Sequence, residues 1–170
     1  GCSGPVLRGS GVDWDLRRDG ESLYTQMYAD YDFEVICERS GHYPSDQAYP
    51  SVPGEAVLGD CWHRFYVRML EAVQSIDLVR QAIDKLPAGE INVKVKGFPE
   101  GEMVARVEQP RGELLYYMKC DGSKHLDRLR IRTPTFANIA PLLVMLPGCQ
   151  LAAVPVIVLS IDPCISCTER

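Results

Sequence analysis

The chain has 170 residues, of which 46% are hydrophobic and 24% charged, and its formal net charge is −5. These values are typical of one globular domain with a real core, and the negative balance argues against a nucleic-acid surface, which usually carries a basic patch. No apolar run reaches the ~18 residues of a membrane span, and the charged residues between Arg8 and Asp19 argue against a signal peptide.

The cysteines are odd in number and irregularly spaced, whereas the disulfide framework of a small secreted domain is usually even and dense. We therefore expect a reducing, cytosolic compartment in which most of the thiols pack as small buried hydrophobes. The chain contains seven of them: Cys2, Cys37, Cys61, Cys120, Cys149, Cys164 and Cys167.

The first third of the chain predicts little regular structure. Residues 1–11 contain four glycines and one proline and predict a loop. A partly alternating apolar pattern predicts a short extended segment over residues 31–36. Residues 37–59 combine prolines, glycines and polar residues, and they predict an irregular insertion.

Residues 60–86 predict a long helix, with Asp60 as its N-cap and Pro87 and Gly89 ending it. Apolar residues recur at three- and four-residue spacing and form one stripe, of the kind that normally faces a core. The stripe consists of Trp62, Phe65, Met69, Val73, Ile76, Val79 and Ile83. The opposite face carries Arg64, Arg68, Glu71, Gln74 and Arg80.

From residue 90 the apolar period changes from helical to two. Val93 and Val95 predict the start of a strand, residues 97–102 a turn, and residues 103–107 a further short strand. These elements predict a small sheet after the long helix.

Residues 114–120 and 126–132 predict a β-hairpin, because the Asp121-Gly122-Ser123 segment between them is a strong turn signal. In the second arm apolar residues alternate with three arginines, so we expect one buried face and one cationic face. The arginines are Arg128, Arg130 and Arg132. They indicate either a solvated hairpin face or a surface that docks an acidic partner.

Thr135 is the predicted N-cap of a helix over residues 135–146, and Pro141 inside this helix predicts a kink or a break. Residues 151–161 form an apolar run whose periodicity fits either a strand or a helix. We expect the run to be buried and to hold the residues that follow it at a fixed depth.

Cys164 and Cys167 follow this run at a spacing of three positions. Cysteine sulfur suits soft metals such as nickel, iron or zinc. The pair can therefore be half of a metal site, but a redox dithiol or two inert buried cysteines fit the spacing as well. A structural zinc site needs a second ligand pair, and the sequence has no other CxxC or HxxxH.

Pro110 restricts the backbone before Arg111, which lies in a turn between two predicted strands. Such an arginine is either an ordinary turn residue or a fixed cation over a pocket. The histidines are far apart and show no ligand spacing: His42, His63 and His125.

Taken together, these motifs resemble a known family. The Asp162-Pro163-Cys164-x-x-Cys167 end, the Pro110-Arg111-Gly112 turn and the Thr133-Pro134-Thr135-x-x-Asn138 helix start resemble the C-terminal part of nickel–iron hydrogenase large subunits. The segment from Gly4 to Arg17 is similar to the 49 kDa quinone-site subunit of respiratory complex I. Further matching positions are Gly59-Asp60-Cys61-x-x-Arg64, Arg68, Gln74-Ser75, Leu86-Pro87-x-Gly89, Glu113 and Asp121-Gly122.

Complex I subunits resemble the body of the chain but lack the terminal cysteines. A complex I-like body together with the two terminal cysteines resembles the energy-converting, membrane-bound hydrogenases of the formate hydrogenlyase or Ech type. In that group a maturation protease removes a C-terminal tail, and Arg170 fits such a processed end. The alternatives are a complex I-like NADH/quinone oxidoreductase 49 kDa-type subunit with vestigial cysteines, and a non-catalytic scaffold or assembly fragment.

The resemblance implies an α+β fold, with a helical bundle, a long central helix and a small antiparallel β-sheet, as part of a hydrogenase large-subunit or complex I 49 kDa fold. Residues 1–170 correspond to the C-terminal portion of one large-subunit domain. Residues 151–170 correspond to a buried run followed by a metal-ligand tail, and the resemblance favours a helix for the run.

The resemblance also implies a site. Cys164 is expected to be a terminal nickel ligand and Cys167 a thiolate bridging nickel and iron. Arg111, directed by Pro110, is expected to hold its guanidinium over the open metal position, with Asp162 as its carboxylate partner. A fixed cation and carboxylate of this kind tune ligand basicity and water access.

The implied cofactor is a nickel–iron binuclear centre in the intact parent subunit, which we expect to be absent, with its activity, from this fragment alone. The implied partners are an iron–sulfur small subunit that carries the electrons, membrane subunits that translocate ions, and the missing N-terminal half of the same subunit. We expect a peripheral position on the cytoplasmic side of the cell membrane, no nucleic acid, and a homodimer of the fragment through its uncovered apolar surface.

Overall fold

Residues 1–37 and 59–169 are described by a computed structural model. The predicted insertion over residues 37–59 lies outside the described residues except for its two ends, and Arg170 lies outside them as well. The helices are α1 (Pro5–Arg8), α2 (Leu16–Asp19), α3 (Leu23–Tyr28), α4 (Cys61–Asp84), α5 (Pro134–Asn138), α6 (Leu142–Met145), α7 (Val154–Ser160) and α8 (Ile165–Thr168). The strands are β1 (Glu100–Gln109), β2 (Gly112–Asp121) and β3 (Leu126–Arg132). The fold is α+β.

The strands form one antiparallel sheet in the order β1-β2-β3, which confirms the predicted hairpin. Gln109 pairs with Gly112 across the turn that contains Arg111. β1 is longer than the strand predicted over residues 103–107. Its first three residues, 100–102, fall in the predicted turn, because every residue from Glu100 to Gln109 pairs with β2.

Two other predictions about the sheet region are wrong. Val93 and Val95 are exposed and lie in a segment that forms no strand, because no neighbouring strand pairs with it in the described part of the chain. The apolar face of β3 is not fully buried, since Leu129 is 42% exposed. The same face is covered at the two ends of β2, where Leu114 and Cys120 are buried.

The predicted long helix is present as α4, and its N-cap is confirmed because Asp60 Oδ1 accepts a hydrogen bond from the His63 N–H at 2.8 Å. The stripe expected to face a core is exposed, however, with Val73 at 62%. The rest of the chain packs instead on the polar face, where Arg64 Nε donates to Ser160 Oγ at 2.9 Å. Arg64 and Arg68 of this face bond Ser160 of α7, which offsets the cost of burying their guanidinium groups. Burial of the apolar stripe would need a core that the described residues do not supply.

The buried core is small and mixed. Leu16, Val67 and Ile161 are its fully buried apolar side chains of largest volume. Arg8 and Asn138 are buried to the same degree, with hydrogen-bond partners from distant parts of the chain. Hydrogen-bond networks therefore hold together helices and strands that bury little apolar surface against one another.

The N-terminal predictions need correction. Residues 1–11 are not all loop, since they contain the short helix α1, which Pro5 begins at a position where its fixed φ suits a helix. The extended segment predicted over residues 31–36 is absent, since these residues form no regular element, and Tyr24 and Tyr28 before them lie in α3. Neighbouring rings in and after α3 contact one another, with the centroids of Tyr24 and Tyr28 5.1 Å apart.

The helix predicted over residues 135–146 is split into α5 and α6, as the internal Pro141 predicted. Its N-cap is Thr133 and not Thr135, because Pro134 occupies the first helical position. Residues 151–161 are helical as expected, forming a 3-10 turn over Leu151–Ala153 followed by α7. Their predicted burial holds only for Ser160 and Ile161, while Leu159 is 59% exposed.

Among the described residues, no helix combines the length and the apolar character needed to cross a bilayer.

Candidate functional site

Arg111 and Asp162 form an ion pair between the β1–β2 turn and the segment after α7. Arg111 Nε lies 3.2 Å from Asp162 Oδ2, and each side chain is a little over one third exposed. Asp162 has a φ of 52°, a left-handed conformation that aspartate tolerates better than most residues. The chain turns sharply there and brings the carboxylate to the guanidinium. The pairing expected for Arg111 and Asp162 is present.

The backbone around Arg111 is held by a close approach of the N-terminal segment. Gly4 and Gly112 both have positive φ, and a Cβ on Gly4 would lie 2.3 Å from the Cα of Gly112. The glycines therefore allow two backbones to touch where any side chain would separate them. Ser3 Oγ accepts a hydrogen bond from the Glu113 N–H at 3.1 Å, which closes the contact.

Asn138, at the end of α5, ties three backbone groups together in this contact. Its Oδ1 accepts from the Ser3 N–H at 3.0 Å, and its Nδ2 donates to the carbonyl oxygens of Ser3 at 3.3 Å and of Arg111 at 3.0 Å. The side chain is fully buried, so each of these hydrogen bonds is protected from water. Pro110 and Asn138 thus fix the turn from which the guanidinium extends.

The first turn of α5 also holds the cysteine tail. Thr135 Oγ1 accepts from the Cys164 N–H at 3.2 Å, and Thr133 Oγ1 donates to the Cys167 carbonyl oxygen at 2.7 Å. Cys164 is the N-cap of α8, so a short helix fixes the spacing of the two thiols. The structure brings Cys164, Cys167, Arg111 and Asp162 to one site, with α5 as their common support.

The two thiols differ in acidity. Hydrogen bonding from Ser166, whose Oγ lies 3.1 Å from Cys164 Sγ, and from Cys167 lowers the pKa of Cys164 to about 7, and the positive charge of Arg111 adds to this shift. Burial and the neighbouring Cys164 thiolate raise the pKa of Cys167. Cys164 is therefore the first thiol of the pair to lose its proton as the pH rises through about 7.

The thiols are partly exposed, although the sequence indicated a buried position. Within residues 1–37 and 59–169, no three His, Cys, Asp or Glu side chains converge in an arrangement that could hold a metal ion. Two adjacent thiols, one with a pKa near 7, nevertheless fit two positions in the ligand set of a soft metal. The described residues supply part of such a set and not the whole of it.

Sequence reasoning missed part of the site. It assigned Thr135 to an N-cap and gave Asn138 no individual role, and it did not single out Ser166. The available signal was the clustering of small polar side chains on one helical turn, at Thr133, Thr135 and Asn138. Such residues are usually caps, so their long-range partners appear only in the folded chain.

The chain is similar to subunits of known oxidoreductases. A family model for the "Respiratory-chain NADH dehydrogenase, 49 Kd subunit" matches residues 1–98 and 93–170. The chain is 42% identical over 171 residues to the carbon monoxide-induced hydrogenase of Rhodospirillum rubrum, covering 100% of this chain and 42% of that protein. It is 39% identical over 165 residues to an NADH-quinone oxidoreductase subunit of Anaeromyxobacter sp. (strain K), covering 95% of this chain and 39% of the relative.

A solved structure of a respiratory membrane complex contains a chain of similar fold. One chain of the membrane-bound sulfane sulfur reductase, an archaeal respiratory membrane complex, superposes with a TM-score of 0.74 at 30% identity, covering 100% of this chain and 43% of that one. The chain thus spans about two fifths of the length of the relatives it matches.

Proposed function

The chain belongs to the family of the respiratory-chain NADH dehydrogenase 49 kDa subunit, and from that membership we propose that it is the C-terminal part of the catalytic large subunit of a membrane-associated nickel–iron hydrogenase. One observation carries the proposal: Cys164 and Cys167 are held side by side next to the Arg111–Asp162 pair. The relative that is itself a hydrogenase supports it.

In this proposal Cys164 and Cys167 hold the nickel–iron centre from one side. When bound, that centre supplies the two-electron chemistry of dihydrogen oxidation and proton reduction. The residues of this chain hold it and shape its surroundings. The guanidinium of Arg111 places a fixed positive charge beside the Cys164 thiol, Asp162 anchors that guanidinium, and Pro110 and Asn138 anchor its backbone.

The remaining ligands belong, in this proposal, to the part of the subunit that the chain does not span. That part also covers the exposed apolar stripe of α4, of which Met69 and Ile76 are members. The isolated chain therefore binds no binuclear centre, evolves no hydrogen, and is prone to form a homodimer through the uncovered stripe.

The proposed partners are an iron–sulfur subunit, which passes electrons, and membrane subunits that couple the reaction to ion translocation. The subunit is peripheral and lies on the cytoplasmic side of the membrane. The solved relative, which is part of a membrane complex, supports such an assembly.

The second candidate is a complex I-like subunit that reduces quinone. The relative that is an NADH-quinone oxidoreductase subunit favours it. A scaffold that docks an acidic partner on the arginines of β3 has less support, because Glu113 of the same sheet already engages Arg132, with Nη1 3.4 Å from Oε1.

The test uses the subunit assembled in its complex, with Cys164→Ser and Cys167→Ser as variants and Cys149→Ser as the control at a cysteine outside the site. We expect both variants to lose bound nickel, measured by mass spectrometry, and hydrogen uptake, while the control retains both. Full quinone reduction and no nickel in the unmodified protein would replace the first candidate by the second.

A further inference from the structure

The buried guanidinium of Arg8 is surrounded by three carboxylates. Arg8 is 1% exposed, and its Nε and Nη2 lie 2.9 and 2.7 Å from Glu71 Oε1. Its Nη1 lies 3.0 Å from both Asp15 Oδ2 and Glu108 Oε1. The four residues come from α1, the start of α2, α4 and β1, so the cluster is where these elements meet.

One of the three carboxylates has its own cation. Arg17 Nε and Nη2 donate to Asp15 Oδ1 and Oδ2 at 2.9 and 2.7 Å, a bidentate pair that keeps Asp15 ionised. Glu71 and Glu108 are then left to share Arg8. The five groups carry a net charge of −1 when all of them are ionised, and of the two carboxylates that share Arg8, Glu71 is also attracted by Arg68.

Glu108 is the carboxyl suited to remove this imbalance. Its side chain is 2% exposed, and its Oε2 has no hydrogen-bond partner among the described residues, although Oε1 binds Arg8. Burial raises the pKa of Glu108 and of Glu71 in spite of the attraction of Arg8. Arg8 engages Oε1 of Glu108, and the buried, unpaired Oε2 of Glu108 is the place for a proton.

The charged and titratable groups near Glu108 come from every element around it. Arg8, Asp15, Arg17 and Glu71 act on its carboxyl group, and Tyr24 donates its hydroxyl to the Glu108 carbonyl oxygen at 3.0 Å. Glu113, opposite Glu108 in the β1–β2 ladder, is itself engaged by Arg106 and Arg132. Among these groups Arg8 bonds the Glu108 carboxyl, whereas Arg17, which also lowers the pKa of Glu108, bonds Asp15.

A cavity connects this cluster with the candidate site. It has a volume of about 640 Å³, and its lining includes Glu71, Glu108, Arg68 and Asp162. Nε and Nη2 of Arg68 are buried donors with no partner among the described residues. Arg68 and Glu108 both line the cavity, so residues with unpaired donors and an unpaired acceptor lie at its wall, and its volume is ample for bound water.

We propose that Glu108 is a proton-holding residue, which carries one proton on Oε2 in the folded protein and exchanges it with water in the cavity that reaches the Arg111–Asp162 pair. Uptake converts the Glu108 carboxylate to the acid, release returns the proton to water, and no electrons move. The proton on Glu108 Oε2 is inferred from the geometry of this chain alone. Its exchange toward the Arg111–Asp162 pair rests on the proposed function.

The first test is infrared spectroscopy of the chain as a function of pH. An ordinary glutamate has a pKa of about 4.3 and is ionised at pH 7. We expect one carboxylic-acid C=O band to persist at pH 7 in the unmodified chain and in the control Glu102→Gln, and to vanish in Glu108→Gln. Glu102 lies on the same strand and bonds the exposed Tyr117.

Absence of the band from the unmodified chain at pH 7, or its survival in Glu108→Gln, would overturn the proposal. A proton that carbon-13 NMR places on Glu71 and not on Glu108 would overturn the role of Glu108. Carbon-13 NMR of labelled glutamate side chains in the unmodified chain gives the same titration without any substitution, so a misfolded variant does not block the test.

The second test uses the assembled, metal-loaded complex and measures exchange between deuterium gas and protons of water. We expect Glu108→Gln to slow exchange about tenfold or more with nickel content unchanged, and Glu102→Gln to have no effect. An unchanged rate in Glu108→Gln would overturn the exchange route. If instead the proposed function fails, the unmodified complex contains no nickel, while the infrared band still depends on Glu108.

Discussion

Asn138 donates a hydrogen bond from Nδ2 to the carbonyl oxygen of Arg111 at 3.0 Å. A fully buried amide at the end of α5 thus fixes the turn that carries the guanidinium of the site. Two earlier residues of the same segment, Thr133 and Thr135, hold the backbone of Cys167 and Cys164. One short helix therefore sets the position of the cation and of both thiols.

We expect Asn138→Ala to lower the free energy of unfolding by about 1–3 kcal/mol, because the Ser3 N–H loses its acceptor in a buried place. Urea denaturation measures the change. Asn92→Ala, at an exposed position, serves as the matched control and is expected to lie within about 0.5 kcal/mol of the unmodified chain. Equal stability of the two variants would show that the Asn138 network is dispensable.

Thr135→Val is expected to raise the pKa of the Cys167 thiol further, because the Thr135 hydroxyl is a hydrogen-bond partner that lowers it. Thr135→Ser keeps the hydroxyl and is expected to restore the original titration. The measurement is the thiolate absorbance of Cys167 against pH in a background where the other cysteines are replaced by serine. A Thr135→Val titration identical to that of Thr135→Ser would contradict the assignment.

Cys164 is expected to be the most reactive thiol among the described residues. With a pKa of about 7 it is roughly half thiolate at neutral pH, whereas an ordinary cysteine is only a few per cent thiolate. Alkylation by iodoacetamide at pH 7, followed by peptide mass spectrometry, should modify it about tenfold faster than the buried Cys37 and Cys120.

Ser166→Ala is expected to slow the alkylation of Cys164 at pH 7, since the Ser166 hydroxyl is the largest cause of the lowered thiol pKa. Ser123→Ala, in the exposed β2–β3 turn, is the control and should leave the rate unchanged. If Ser166→Ala alkylates as fast as the unmodified chain, the acidity of Cys164 has another origin.

Stability should depend on pH through Glu108. Because its pKa is raised in the folded state, the folded chain binds more protons than the unfolded chain above the ordinary value of about 4.3. The stability that the protonated carboxyl contributes is therefore full below that value and is lost as the pH rises through the folded pKa. Asp15 acts in the opposite direction, because its pKa is lowered and its contribution is lost on acidification.

Urea denaturation across pH 4 to 8 tests this dependence. We expect the decline in unfolding free energy with rising pH to be reduced in Glu108→Gln, with the remainder due to Glu71, whose pKa is raised as well. The control Glu102→Gln should follow the unmodified chain. A Glu108→Gln curve with the original slope would show that Glu108 titrates normally.

The sequence by itself determined the elements whose signals are local. The period of the apolar residues and the Asp60 cap were sufficient for α4, the Asp121-Gly122 turn for the hairpin, and Pro141 for the break between α5 and α6. The segment from Gly4 to Arg17, the Pro110-Arg111-Gly112 turn and the terminal motif were together sufficient to identify the family. Each of these signals lies within a few neighbouring residues, where backbone sterics and turn chemistry act directly.

Only the tertiary structure decided which surfaces pack and which groups meet. The polar face of α4 is the packed one, since Arg64 and Glu71 find partners on α7 and α1, whereas stripe residues such as Val73 and Ile83 stay exposed. Ser3 and Asn138 are 135 positions apart, and Arg8 and Glu108 are 100 apart. Contacts at such separations depend on how all the intervening elements are arranged in space, and no local pattern of residues encodes that arrangement.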